Sequence, residues 1–119
     1  MKYKIQIADE AINDMVSLVQ YMRLDLCNPL AADKLLTGLQ EIISELEYFP
    51  RKSGESGITY RNYEIHKKVY QSYLLFYIIN SKDKTISILR ILKDIMNWPD
   101  MLRETKIYHF SKYKSKKNK

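Results

Sequence analysis

Two stripes of apolar residues recur at three- and four-residue steps in the first half of the chain, and beyond Pro50 the step falls to two. Few folds accept both periods in that order. The first stripe runs through Ala8, Ala11, Ile12, Met15, Val19, Met22 and Leu26, with polar Asn13, Asp14, Ser17 and Gln20 between them. That spacing predicts an amphipathic helix, with Asp9 placed to cap it. "CNPLAA" restarts the chain, Asn28 being a good N-cap and Pro29 suited to the first helical position. A second stripe follows through Ala32, Leu35, Leu36, Leu39, Ile42, Ile43 and Leu46. Two helices so briefly joined form an antiparallel hairpin, and Gly38 would let them pack closely.

Strand patterns surround the hairpin. "KYKIQIA" alternates Tyr3, Ile5 and Ile7 with polar residues. "YFPRKSGESG" reads as a loop, and three strand-like segments follow, "ITYRNYEIHKK", "VYQSYLLFYII" and "TISILRIL". Asn80 to Lys84 joins the last two as a hairpin loop, and "DMLRETKIY" suits a short final helix. The expected fold is α+β: an N-terminal strand and a helical hairpin on one face of a mainly antiparallel four-stranded sheet, ending in a short C-terminal helix. Residues 1–98 are expected to make the domain, 99–110 a C-terminal extension and 111–119 a Lys-rich tail expected to be disordered. With helices on one face only, the other face is free to work.

Charge divides the chain. Residues 1–50 carry four Lys/Arg against eight Asp/Glu, a net −4, whereas 51–119 carry sixteen against six, a net +10. The basic half suits nucleic acid or another polyanion. No apolar run reaches membrane-spanning length, so no membrane partner is expected. The N-terminus lacks the apolar stretch of a signal peptide, and lone Cys27 has no internal disulfide partner, so a reducing cytoplasm is the expected location. Neither a glycine-rich phosphate loop nor a metal-ligand cluster is present in the sequence, and no cofactor is expected.

"SILRILKDIMNW" puts Arg90 inside an apolar strand. Such a residue either presents its charge to a ligand, pairs with a buried carboxylate such as Asp94, or lies along the sheet edge. His66 sits in the basic "EIHKK" with an ordinary pKa suited to acid–base work, or as a plain strand histidine. Tyrosines of "YLLFYII" belong to the core. Tyr60, Tyr63, Tyr70 and Tyr113 could instead stack on bases.

The succession "NPLAADKLL…LQEIISELEYFP", "YRNYEI", "YLLFYII" and "ISILRIL" resembles the RelE/ParE superfamily of bacterial type II toxins over roughly Lys2 to Trp98. Many members carry a histidine three residues after the last-strand arginine, where this chain has Lys93. The resemblance implies a toxin that a cognate antitoxin neutralises, often through an acidic C-terminal segment. Its RNA-cutting branch cleaves mRNA on the ribosome without metal, the 2′-hydroxyl attacking the neighbouring phosphate. On that branch the matching residues are Arg61, on the first strand after the loop, and Arg90. Lys67, Lys68 and Lys93 would assist electrostatically, and His66 is a conceivable base. Arg90 would hold a phosphate on the open face. Tyr108 and His109 lie beyond the matched region. The expected function is a ribosome-dependent mRNA endonuclease that inhibits translation. The alternatives are a ParE-like inhibitor of DNA gyrase that acts by binding, and a degenerate toxin fold that retains only antitoxin binding.

Overall fold

The computed structural model describes residues 2–51 and 54–111. Tyr113 and the Lys-rich tail beyond Ser111 lie outside the described residues. Strand β1 (Lys4–Ile7) leads into helix α1 (Asp9–Gln20), a π-helical turn (Tyr21–Asp25) and helix α2 (Pro29–Leu46). Strands β2 (Gly54–Tyr60), β3 (Tyr63–Tyr70), β4 (Tyr73–Asn80) and β5 (Thr85–Lys93) follow, then helix α3 (Trp98–Glu104). The sheet runs β1-β5-β4-β3-β2, with β1 parallel to β5 and every other pair antiparallel.

The α+β class is as expected, but the sheet has five strands. "ITYRNYEIHKK" is a hairpin: Arg61 and Asn62 both adopt positive φ (51° and 71°) and turn the chain between Tyr60 and Tyr63. Two consecutive left-handed residues match the right-handed twist of the flanking strands, and Asn tolerates that conformation well. Arg61 is therefore a turn residue, not a strand residue. The glycine-containing "GESG" belongs to β2, where Gly57 at φ 83° accommodates a register shift against β3. Val69 and Tyr70 end β3 instead of starting β4.

The hairpin forms where the spacing places it. Asn28 Oδ1 accepts from the Ala31 N–H at 3.2 Å, with Pro29 opening α2. Asp9 does not cap α1; Ala8 precedes the helix without a side-chain bond, and the Asp9 carboxylate instead accepts from Ser111. The π turn adds a residue to one helical turn and rotates the stripe outward, leaving Leu26 exposed. Gly38 makes room for a strand, not a helix: a methyl group there would lie 1.9 Å from the Tyr70 hydroxyl.

Beneath the hairpin, Leu35, Leu39 and Leu46 of α2 pack with Leu75, Tyr77, Ile79, Ile86, Ile88 and Ile91. The opposite face is not bare. Leu74, Phe76, Ile78, Leu89 and Leu92 form a second core with Ile65, Leu102 and Tyr108, flanked by Trp98, Met101 and Phe110. The apolar run of β4 is continuous because both of its faces are buried. Helix α3 and the segment 105–111 supply the second cover. That segment is tied to the start of α1: the Asp9 N–H donates to the His109 carbonyl at 2.6 Å, and His109 Nδ1 lies 2.7 Å from Glu10 Oε2.

Candidate functional site

Arg90 sits just past an irregularity in β5. Tyr77 pairs with Ile88 and Phe76 with Arg90, so Leu89 is an extra residue that resets the alternation of side chains. Arg90 thereby shares a cross-strand row with Phe76 and Lys67, on the face opposite the helical hairpin. Its guanidinium is not free for a ligand. Nε and Nη2 donate to Asp14 Oδ2 and Oδ1 at 2.7 and 2.8 Å, and Nη1 donates to Thr105 Oγ1 at 3.4 Å. Asp14 also accepts from the Ile91 N–H at 3.0 Å, an edge donor of β5 beyond its pairing with β1, which ends at Ile88. Both side chains are mostly buried, at 14% and 13% exposure. The hydrogen bonds that Arg90 donates to Asp14 raise its pKa above its already high value, with burial opposing. The carboxylate partner is Asp14, which follows from α1 packing against β5; exposed Asp94 instead donates its N–H to Ser72.

The other sequence-predicted residues do not gather around Arg90. Lys67 Nζ lies 4.9 Å from the Trp98 ring centroid on the second face. His66, Lys68 and Lys93 pair with Tyr77, Leu75 and Tyr73, which belong to the hairpin side of the sheet. Lys68 meets Glu45 of α2 at 3.6 Å, and Lys93 Nζ is 5.9 Å from the Tyr73 ring. His66 stacks on Tyr77, with centroids 5.3 Å apart, and its buried Nδ1 has no hydrogen-bond partner among the described residues. Burial first, and then the Arg51 charge, lower the His66 pKa, against the pull of Glu55 and Glu64. Arg61, at the hairpin turn, places its guanidinium carbon 5.3 Å from the Tyr60 ring centroid.

Two clefts meet at that turn. One, of about 430 Å³, is lined by Tyr60 and Arg61 together with Arg103, Thr105 and Lys106. Its neighbour, of about 390 Å³, runs past Tyr60, Arg61 and Tyr63 to Gln6, Ser87 and Phe110. Arg103 and Lys106 carried no sequence signal beyond the basic composition of the second half, and Asp14 read only as a polar spacer on α1. Tyr108 lies outside the matched motifs yet anchors this region. It is 5% exposed, packs edge-to-face on Tyr60 at 4.9 Å, and donates its backbone N–H to Tyr60 Oη at 3.3 Å. Burial chiefly raises its pKa, outweighing Thr105 and Arg90, and its hydroxyl has no well-formed hydrogen bond among the described residues. Among the described residues no cluster of His, Cys, Asp or Glu could hold a metal ion, and no helix is long and apolar enough to cross a membrane.

An N-terminal strand and a helical hairpin laid on one face of a mainly antiparallel sheet make the RelE/ParE-type toxin fold. The ParDE system of Pseudomonas aeruginosa superimposes with a TM-score of 0.62 at 15% identity, covering 77% of this chain and 96% of that one. The RelBE2 toxin–antitoxin complex of Mycobacterium tuberculosis gives 0.58 at 18% identity, covering 78% and 92%. The archaeal RelE–RelB complex of Pyrococcus horikoshii gives 0.53 at 22%, covering 80% and 98%. No curated protein matches the chain. Residues 5–98 match the ParE toxin of the type II toxin–antitoxin system parDE, and the chain belongs to that family.

Proposed function

We propose that the protein is the toxin of a type II toxin–antitoxin pair and disables its target by binding, with DNA gyrase the target that the ParE branch implies. The locked state of Arg90 carries this reading. An arginine held bidentately by a mostly buried carboxylate cannot also clamp a phosphate without breaking that pair. The remaining acid, base and cation candidates lie on two faces and a turn, not within hydrogen-bond reach of one reacting phosphate. A cognate antitoxin is the expected partner. Its acidic segment would suit the basic sheet side, while Asp33, Glu41 and Glu45 make the outer face of α2 acidic.

Ribosome-dependent mRNA cleavage is the second reading, favoured by one observation: Arg61, Arg103 and Lys106 converge beside Tyr60 and could hold an RNA backbone. Induction in a bacterial host separates the two. With labelled thymidine and amino acid followed over the first minutes, DNA synthesis should fall first. Translation collapsing first, with mRNA cut only when ribosomes are present, would refute the binding mode and support the nuclease.

A further inference from the structure

We propose that the cleft between the Tyr60–Tyr63 hairpin and the C-terminal segment binds a purine nucleotide, its base in the 390 Å³ cleft and its phosphate on the cations of the adjoining one. This goes beyond the toxin assignment and requires neither RNA cleavage nor gyrase.

The floor of the cleft is polar where the sheet is otherwise apolar. Ser87 is 6% exposed in a strand of Ile and Leu, and it accepts from Gln6 Nε2 at 2.7 Å across the β1–β5 pair. That bond satisfies the buried hydroxyl and leaves half-buried Gln6 with its Oε1 to accept. At the rim, the Asn80 Nδ2 donates to Asp83 Oδ2 at 3.2 Å, and the Asp83 N–H donates to Asn80 Oδ1 at 3.1 Å. That exchange fixes the loop and leaves the second Asp83 oxygen to accept. With Gln6 Oε1, the cleft then offers acceptors to a base carrying an exocyclic amino group.

The walls are aromatic. Tyr63 is partly exposed at 37%, and Tyr60 and Phe110 are half-buried, so a ring can stack without displacing the core. Base–aromatic stacking favours the larger purine surface. Arg61 lines both clefts and is the hinge between base and phosphate, and Arg103 and Lys106 lie on the phosphate side. Arg103 touches Asp100 at 3.7 Å, but both side chains are well exposed, so the pair leaves the guanidinium available to an anion. An acidic peptide would meet Asp83, and an apolar ligand would leave the second Asp83 oxygen and Gln6 Oε1 without donors. A purine nucleotide satisfies the stacking, acceptor and cation groups together.

Fluorescence anisotropy of the full-length protein with fluorescein-labelled single-stranded RNA octamers tests this. A mixed A/G octamer should bind at least about tenfold tighter than an all-U octamer. Tyr63→Ala should weaken purine binding about tenfold, because stacking is lost. Arg61→Asn keeps a residue that tolerates positive φ, so the hairpin is retained, and it should lower the salt slope by about one; Arg103→Gln should do the same. Asp83→Asn should narrow the purine preference, whereas Lys67→Gln, beside Trp98, should leave binding unchanged. Competition by AMP and GMP identifies the source: displacement by mononucleotide assigns a free nucleotide, and displacement only by oligomer assigns a strand. Failure of all octamers and mononucleotides to bind, or wild-type affinity in both Tyr63→Ala and Arg61→Asn, would overturn the proposal.

Discussion

Replacing Asp14 by alanine tests whether Arg90 is held for the sake of the fold. The substitution removes three contacts together: the two charge-assisted bonds to Arg90 at 2.7 and 2.8 Å and the bond from the Ile91 N–H at 3.0 Å. Removing one partner of a well-buried ion pair costs about 3–5 kcal/mol, and an orphaned N–H adds to that penalty. Both side chains keep slight solvent contact, so the lower end applies, about 3 kcal/mol. Alanine recovers a few tenths through helix propensity, roughly 0.5 kcal/mol. A domain this size should then lose roughly 10 °C of melting temperature. Urea unfolding followed by circular dichroism reads the change directly. The companion variant Asp14→Leu with Arg90→Met replaces both charges by apolar groups. It should return to within about 1–2 kcal/mol of wild type, the remainder being the unpaired Ile91 N–H. A loss below about 1 kcal/mol in Asp14→Ala would show that water screens the pair as on an open surface, refuting the structural reading. Toxicity completes the test. The double variant should stay toxic if Arg90 only braces the strand, whereas a phosphate contact would make it harmless.

Other perturbations follow from single contacts. Gly38→Ala should destabilise by about 1–3 kcal/mol despite its better helix propensity, since the methyl meets the Tyr70 ring end; pairing it with Tyr70→Val should restore much of the loss in thermal melts. His66 has a depressed pKa, so the unfolded chain takes up its proton first as pH falls. The stability that neutral His66 retains above about pH 6.5 is therefore lost on acidification toward its lower folded value. His66→Phe keeps the stack on Tyr77 and should flatten that part of the stability–pH curve, and an unchanged slope in urea titrations would count against the burial argument. Glu10 has the opposite consequence for charge: burial would raise its pKa, but hydrogen bonds from His109 outweigh it and the net shift is downward. Its contribution is present above the unfolded value near 4.5 and lost as pH falls through the folded one, so Glu10→Gln should weaken the attachment of residues 105–111 at neutral pH, seen as faster hydrogen exchange there.

The sequence by itself determined the features set by local physics. Its two periods placed the helices and the strands, and Asn28 with Pro29 marked the start of α2, because capping and amphipathicity depend on residues a few positions apart. The dense apolar run of β4 was legible for the same reason. What depended on distant partners was not. The Arg61–Asn62 turn carries neither Gly nor Pro, and its strain is accepted because strands on both sides pair. The extra residue at Leu89, which turns Arg90 toward the second face, exists only relative to β4. Asp14 is 76 residues from Arg90 and became its partner only when α1 packed against the edge of β5. Likewise, no period in "TKIYHF" announces that it will cross the sheet. The tertiary structure decided that, because β4 and β5 are apolar on two faces and the hairpin can cover only one.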